Sequence, residues 1–281
     1  MTDPAIPALP LNDGTDLPAV GFGTYKLNGL AGVDAMVQAI EAGYRLLDSA
    51  FNYENEGAVG AAVRRSGIAR EALRICSKLP GRRQRHAEAM ATIEESLLRA
   101  GLDYYDLYLI HWPNPKQGLY VEAWGAMIEA RERGLIRSIG VCNFLPEHLE
   151  TLERETGVLP SVNQIELHPY FPQDEQLAFD KAHGIVTESW SPLGRGREIM
   201  ELPVVQKIAQ RLGRTGGQVV LRWHVQRGAV PIPKSASVER QRENLDLFDF
   251  ALTPEDMQAI ATLARPNGRL KGQDPAVYEE F

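Results

Sequence analysis

The sequence is poor in cysteine and has no long apolar run. Its 281 residues include only two cysteines, Cys76 and Cys142, and both lie in apolar, strand-like runs. Two thiols in such settings favour reduced, buried side chains over a disulfide, as in a reducing compartment. No segment approaches the roughly 20 apolar residues that cross a bilayer. A disulfide framework and a membrane-spanning protein are therefore both disfavoured.

The sequence also lacks a secretion signal and an excess of positive charge. Residues 1–7 contain neither the basic nor the apolar region of a signal peptide. Lysine and arginine total 30 against 37 aspartate and glutamate residues, a net charge of −7, which disfavours nucleic acid as the main partner. We therefore expect a cytoplasmic protein that binds neither nucleic acid nor a membrane. Local basic clusters can still bind a phosphate.

Two ligand-binding motifs are missing as well. The run Gly21-Phe22-Gly23 stops short of the G-x-G-x-x-G fingerprint that precedes a dinucleotide-binding helix. Neither His-x-His nor His-Glu-x-x-His occurs, so we expect no metal site and disfavour a metal-dependent barrel hydrolase. The six histidines are scattered along the chain: His86, His111, His148, His168, His183 and His224.

The sequence does contain a regular alternation of short apolar runs and longer segments of helical period. Because such alternation builds parallel sheets and eight strands close a barrel, the pattern favours a (β/α)8 TIM barrel over an open doubly wound sheet. The eight candidate strands are 19–23, 44–48, 73–77, 107–111, 136–141, 162–166, 185–188 and 229–232. The clearest helical stretches are 33–42, 56–65, 86–100, 121–133 and 146–155.

No linker, charge block or low-complexity segment divides the chain. Residues 1–281 are therefore expected to form a single domain, since a barrel of this kind takes about 250 residues. The turn-rich stretch 9–17 predicts an N-terminal β-hairpin that acts as a plug or lid.

Polar residues are concentrated where the candidate strands end. Asp48 ends the second strand, Lys78 follows the third and His111 ends the fourth, while Tyr53 lies in a loop after Asp48. Taken singly, each has an ordinary interpretation as a helix cap, a solvated charge, a packed ring or a core histidine. Because the carboxyl ends of barrel strands share one face, the four together predict a proton-transfer site.

Eight segments, which together span nearly the whole chain, resemble those of aldo-keto reductases. Their order and spacing make a chance similarity negligible, and the short loop at 113–120 resembles the bacterial branch that includes 2,5-diketo-D-gluconate reductases. The matching segments are 21–25, 48–56, 77–79, 106–113, 140–144, 163–166, 189–194 and 232–235.

The resemblance implies an NADPH-dependent reductase of aldehydes and ketones. A reduced nicotinamide would deliver hydride to the carbonyl carbon while Tyr53 protonates the developing alkoxide. A free phenol titrates near 10, so Lys78 is expected to lower the pKa of Tyr53, and Asp48 to hold the Lys78 ammonium in place. His111 would donate a hydrogen bond to the substrate oxygen.

The resemblance also implies where the cofactor binds. Asn143 and Gln164 match the positions that bind the nicotinamide carboxamide, and Trp190 matches the aromatic residue on which the ring stacks. Many relatives have serine in place of Cys142, and because a thiol is a weak hydrogen-bond partner we assign it no role. The other expected contacts are Lys234, Ser235 and Arg240 with the 2′-phosphate, Glu243 and Asn244 with adenine, and Gly23, Thr24, Ser191 and Leu193 along the cofactor.

The substrate pocket is expected to be open and lined by aromatic side chains. Such a pocket suits small aldehydes, α-dicarbonyls or keto-sugars. Lys26 could attract an acidic substrate, although an ordinary surface lysine is the commoner interpretation. The expected wall consists of Tyr25, Phe51, His111, Trp112 and Trp190, with Tyr278 and Phe281 from a C-terminal tail over the active face. These aromatic residues have an equally ordinary interpretation as core or surface packing.

A non-enzymatic alternative is a cofactor-sensing binding subunit, since barrels of this family also serve as redox-reporting partners of channels. The intact set of Asp48, Tyr53, Lys78 and His111 argues against it. We expect a monomer with a small-molecule carbonyl substrate and no obligate protein partner.

Overall fold

The structure is a computed structural model that describes residues 6–196 and 198–281. Eight parallel strands lie side by side in chain order, which confirms the predicted barrel architecture. Both cysteines are buried and free, and no helix in the described part of the chain is long and apolar enough for a membrane span. The barrel strands are β3 (Phe22–Gly23), β4 (Leu46–Asp48), β5 (Arg74–Leu79), β6 (Tyr105–Ile110), β7 (Ile136–Cys142), β8 (Val162–Glu166), β9 (Val186–Trp190) and β10 (Ala229–Pro231).

Backbone hydrogen bonds from two glycines join the first and last strands. Gly21 donates to the carbonyl of Pro231 and Gly23 to that of Pro233, each at 3.0 Å. The two prolines have no backbone N–H, so they cannot donate hydrogen bonds to the first strand in exchange. The strand predicted at 19–23 is therefore only two residues long in the structure. A side chain at Gly21 would meet Ile232, since an added Cβ would lie 2.5 Å from its Cδ1 atom. The run Gly21-Phe22-Gly23, which is too short for a dinucleotide fingerprint, therefore helps to close the barrel.

Helices pack around the outside of the barrel. Those predicted at 56–65 and 86–100 have these bounds in the structure, whereas the first begins four residues earlier than predicted. The helices are α1 (Gly29–Ala42), α2 (Glu56–Arg65), α3 (His86–Ala100), α4 (Tyr120–Glu132), α5 (Pro146–Thr156), α6 (Asp174–Ala182), α7 (Glu198–Glu201), α8 (Pro203–Leu212), α9 (Gly216–Gln226), α10 (Val238–Leu245) and α11 (Pro254–Ala261), with 3-10 turns at Phe51–Tyr53, Arg70–Ala72 and Gly81–Arg83.

The predicted hairpin is present as β1 (Ala8–Pro10) paired with β2 (Asp16–Pro18). Its turn docks on the barrel through Asp13, whose Oδ2 atom accepts hydrogen bonds from Ser138 at 2.6 Å and Ser161 at 2.9 Å. Both serines lie near the amino ends of barrel strands. The hairpin is therefore a plug at the opposite end of the barrel from Asp48, Lys78 and His111.

Candidate active site

Lys78 is buried near the carboxyl ends of the strands. Its Nζ atom donates to Asp48 Oδ1 at 2.6 Å and to the carbonyl of Ser49 at 2.7 Å, and only 1% of its surface is exposed. Burial acts to lower the pKa of Lys78, but the negative charges that can surround it, that of the Asp48 carboxylate first and those of Tyr53, Cys76 and Cys142 after it, together hold that pKa well above its ordinary value. Lys78 is thus a fixed cation at neutral pH.

Tyr53 is the last residue of the 3-10 turn that follows β4, whereas His111 follows β6. The Lys78 Nζ atom lies 5.2 Å from the centre of the Tyr53 ring. Burial raises the pKa of Tyr53 well above its ordinary value, and the Lys78 cation offsets only part of this. The expected action of Lys78 is therefore present, but burial is the larger effect. Tyr53 holds its proton firmly at neutral pH, as a proton donor must.

His111 follows β6 and lies beside Tyr53. The two ring centres are 6.0 Å apart, with the rings nearly perpendicular at 78°. The carbonyl of His111 accepts a hydrogen bond from Asn143 Nδ2 at 3.1 Å. Tyr53, Lys78, Asp48 and His111 therefore lie together at one end of the barrel.

The residues expected to bind the nicotinamide are tied to this group. Trp190 Nε1 donates to Asn143 Oδ1, and Gln164 Nε2 donates to Asp48 Oδ1, both at 2.8 Å. Asn143 and Ser191 have positive φ angles of 61° and 50°, a strained backbone region that is common at functional sites. Trp190 remains partly exposed, so its indole face is available to a flat ring.

The residues expected at the 2′-phosphate suit an anion. The side chains of Lys234 and Arg240 are exposed, and within ranges 6–196 and 198–281 neither makes an ion pair. Arg240 lies in the first turn of α10 and Lys234 lies four residues before that helix, whose N-terminus also favours negative charge. Ser237 caps this helix by accepting from the Arg240 N–H at 3.4 Å. Cationic donors and a helix start form a donor set that fits the phosphate of NADPH.

Several other expected cofactor residues are buried and pack within the protein. Thr24 donates to the carbonyl of Asp48 at 2.9 Å, and Ser235 accepts from the N–H of Ser237 at 3.1 Å. Asn244 lies against the hydroxyl of Tyr44. Gly23 is buried in β3, whereas Leu193 and Glu243 remain partly exposed.

The expected pocket residues do not all lie together. Tyr25 is 44% exposed and its ring lies edge-on to Tyr53 with centres 5.0 Å apart. The Phe51 ring packs instead against α3, where the Arg99 guanidinium lies 4.0 Å from its centre.

The aromatic residues of the tail also separate. Trp112 packs on Tyr278 of the tail, with ring centres 4.4 Å apart. Phe281, by contrast, is 82% exposed.

Two carboxylates near the site were missed from the sequence. Glu188 accepts from Gln164 Nε2 at 2.8 Å, while the same nitrogen binds Asp48. Burial and the Asp48 charge raise the pKa of Glu188 to about 8. Glu280 lies 2.7 Å from His111. A glutamate inside the predicted buried strand 185–188 was a visible signal, whereas a glutamate in a tail is usually solvated and gave none.

Comparison with known proteins shows which family the chain belongs to. A family model described as the aldo/keto reductase family matches residues 19–265. The chain is 56% identical to 2,5-diketo-D-gluconic acid reductase B of Corynebacterium sp., over 99% of this chain and 100% of the relative. It is 44% identical to methylglyoxal reductase DkgA of Yersinia pestis, over 97% of each chain.

Among solved structures, a mutant of Gox0644 in complex with NADPH has a TM-score of 0.93 and 40% sequence identity, covering 98% of this chain and 100% of that one. The chain therefore belongs to the aldo/keto reductase family and is an NADP-dependent oxidoreductase, as its sequence predicts.

Proposed function

We propose that this enzyme reduces small aldehydes, α-dicarbonyls and keto-sugars to alcohols with NADPH, and that Tyr53 is the proton donor. The observation that carries the assignment is the buried Lys78–Asp48 ion pair directly beside Tyr53 and His111. Bound NADPH supplies the hydride that forms the new C–H bond. The proton on the Tyr53 hydroxyl forms the new O–H bond, and solvent later returns a proton to Tyr53.

The other side chains act on this proton transfer. Lys78 stabilises the phenolate as the proton leaves, because an adjacent cation favours the charged form. Asp48 keeps the Lys78 ammonium in place through a 2.6 Å contact. His111 donates to the substrate oxygen, which aligns the carbonyl and stabilises the developing charge.

The proposed cofactor site keeps the residues expected from the sequence. Asn143, Gln164 and Trp190 would hold the nicotinamide end, and Lys234 and Arg240 would hold the 2′-phosphate. The remaining proposed contacts are Gly23, Thr24, Ser191, Leu193, Ser235, Glu243 and Asn244.

Charges at the pocket mouth support acidic keto-sugars among the substrates. The Lys26 ammonium lies 5.5 Å and the Arg195 guanidinium 5.9 Å from the centre of the Tyr25 ring. Arg195 also lies 5.8 Å from the Trp190 ring. Two cations at one rim attract a substrate carboxylate. Relatives named for 2,5-diketo-D-gluconic acid and for methylglyoxal agree with this range of substrates.

The Tyr53→Phe variant tests the chemical assignment. Loss of the hydroxyl should lower the single-turnover rate of NADPH oxidation by at least about a hundredfold, the low end for general acid catalysis. NADPH affinity, measured by fluorescence titration, should stay near the wild-type value. Tyr104→Phe is the control, since Tyr104 packs on Arg70 away from the site. A near-normal rate for Tyr53→Phe would refute the role of Tyr53.

We further propose that residues 1–281 form one domain and that the enzyme is a cytoplasmic monomer without an obligate protein or nucleic-acid partner. The net charge of −7 supports the absence of a nucleic-acid partner. In the described ranges, no group of three or more His, Cys, Asp or Glu side chains is placed to hold a metal ion. Sedimentation velocity at micromolar concentration tests the monomer.

A further inference from the structure

A carboxylate from the tail lies inside the proposed active site. Glu280 is only 8% exposed, and its Oε1 atom lies 2.7 Å from His111 Nδ1. The same oxygen accepts from Asn52 Nδ2, and Oε2 accepts from the N–H of Gly81, each at 2.8 Å. One carboxylate therefore contacts the loops that follow β4, β5 and β6. Tyr53 and His111 lie in the first and third of these loops, and Lys78 lies near the end of β5.

The backbone around Glu280 is held by Asn114. The Asn114 amide donates to the Glu280 carbonyl at 2.9 Å and accepts from its N–H at 3.0 Å. Asn114 is fully buried and adopts a positive φ of 47°. Gly81 makes room for it, because an added Cβ would lie 2.5 Å from the Asn114 amide nitrogen. The position of Glu280 is thus built into the loops.

The contact with Glu280 constrains the protons on the His111 ring. A carboxylate oxygen 2.7 Å from Nδ1 would repel a lone pair there, which favours the ring form that carries a proton at Nδ1. The alignment falls outside hydrogen-bond geometry, and the contact is an electrostatic one. Burial acts to raise the pKa of Glu280, but His111 and the N–H of Gly81 outweigh it and hold that pKa below its ordinary value. Glu280 is therefore charged at neutral pH.

A neutral ring that is protonated at Nδ1 has only a lone pair at Nε2 and cannot donate there. Donation to a substrate oxygen through Nε2 then requires both nitrogens to be protonated. A carboxylate beside the ring stabilises this positively charged form. The charge would strengthen the donor at the point where the alkoxide develops.

We propose that Glu280 is a positioning residue of this active site, whose carboxylate stabilises doubly protonated His111 and orients its ring so that Nε2–H points to the carbonyl oxygen. The inference rests on the proposed function, which assigns His111 to that oxygen.

The neighbouring glutamate shows that docking the tail does not require a buried charge. Glu279 accepts from the N–H of Lys116 at 2.7 Å and from Gln117 Nε2 at 3.3 Å, on the exposed side of the tail. It anchors the same segment without contact to His111. A buried charge is costly unless it is paired, so the position of Glu280 needs a partner such as His111.

Two single variants separate the proposed role from simple docking. Glu280→Gln keeps a side chain of similar shape but removes the charge, and should lower the single-turnover rate with methylglyoxal by about tenfold or more, the low end of the loss seen for carboxylates that orient metal-binding histidines. NADPH affinity should stay unchanged. Glu279→Gln removes the same charge one residue away and should leave the rate within about twofold.

The decisive measurement is a double-mutant cycle with His111→Gln. If Glu280 acts through His111, Glu280→Gln should cause no further loss of rate in the His111→Gln enzyme. An equal loss in both backgrounds, or a normal rate for Glu280→Gln alone, would overturn the inference. Should Glu280→Gln unfold, Glu280→Asp replaces it, because it keeps the charge but withdraws it from the ring.

Failure of this inference is distinguishable from failure of the proposed function. A normal rate for Glu280→Gln together with a large loss for Tyr53→Phe removes only the role of Glu280. A near-normal rate for Tyr53→Phe removes the assignment on which both depend.

Discussion

At the end of the barrel where the strands begin, the hairpin is held by hydrogen bonds from serine hydroxyls to Asp13 and by a partly exposed ion pair between Arg74 and Asp16. At the end where the strands stop, Lys78 and Asp48 form an ion pair that is almost completely buried. Positive φ angles at non-glycine residues such as Asn143 and Ser191 also occur at this second end. The contacts at the hairpin end bury little charge and stabilise the fold. The active end contains a buried ion pair and strained backbone, which are features typical of catalytic sites.

Replacing one cation at each end of the barrel should give the largest difference in stability and turnover between the two ends. Lys78→Met leaves the Asp48 carboxylate buried without its partner, which costs about 3–5 kcal/mol in the free energy of unfolding. It should also lower turnover by at least about a hundredfold, because Tyr53 loses the cation that favours its phenolate. Urea titration and NADPH oxidation measure the two effects.

The matched change at the other end is Arg74→Met. The Arg74–Asp16 pair is partly exposed, with Nη2 and Oδ1 2.6 Å apart, so its loss should cost no more than about 1 kcal/mol. Turnover should not change. A comparable loss of activity in both variants would break the distinction between the two ends.

The residues that the sequence could place are those that follow a local rule. Helices α2 and α3 have strong apolar periodicity and match their predicted bounds. Asp48, Lys78 and His111 follow from the rule that catalytic groups lie where barrel strands end, so their meeting was predictable once eight strands were counted.

The parts that escaped prediction depend on contacts between distant segments. Glu280 accepts from Asn52, 228 positions away, and no local pattern in a single sequence encodes that contact. The first strand was predicted too long because Pro231 and Pro233 cannot return hydrogen bonds to it. Phe51 was predicted by residue type alone, and its direction is decided by packing on Arg99.

The cofactor end of the active face should give a smaller effect than Lys78. Arg240→Ala removes one charged donor at the start of α10, and we expect it to raise KM for NADPH by about tenfold or more while KM for NADH changes little. Arg242→Ala is the control, an exposed arginine in the last turn of the same helix. An unchanged ratio of the two KM values would remove Arg240 from the phosphate site.

Glu188→Gln should have the smallest effect on turnover. It tests whether a buried carboxylate at the active end of the barrel affects stability without affecting catalysis. Glu188→Gln keeps an oxygen that can accept from Gln164, so turnover should change by no more than a few-fold. Burial raises the pKa of Glu188 from 4.5 to about 8, and the folded chain therefore holds a proton between these pH values that the unfolded chain has released. Unfolding therefore releases a proton in this range. Raising the pH from about 4.5 to 8 favours the unfolded chain and lowers the free energy of unfolding. Denaturant titrations across this range should show a stability that falls more steeply with pH for wild type than for Glu188→Gln. Parallel curves would mean that the Glu188 carboxylate is already charged in the folded enzyme and is stabilised by Lys78.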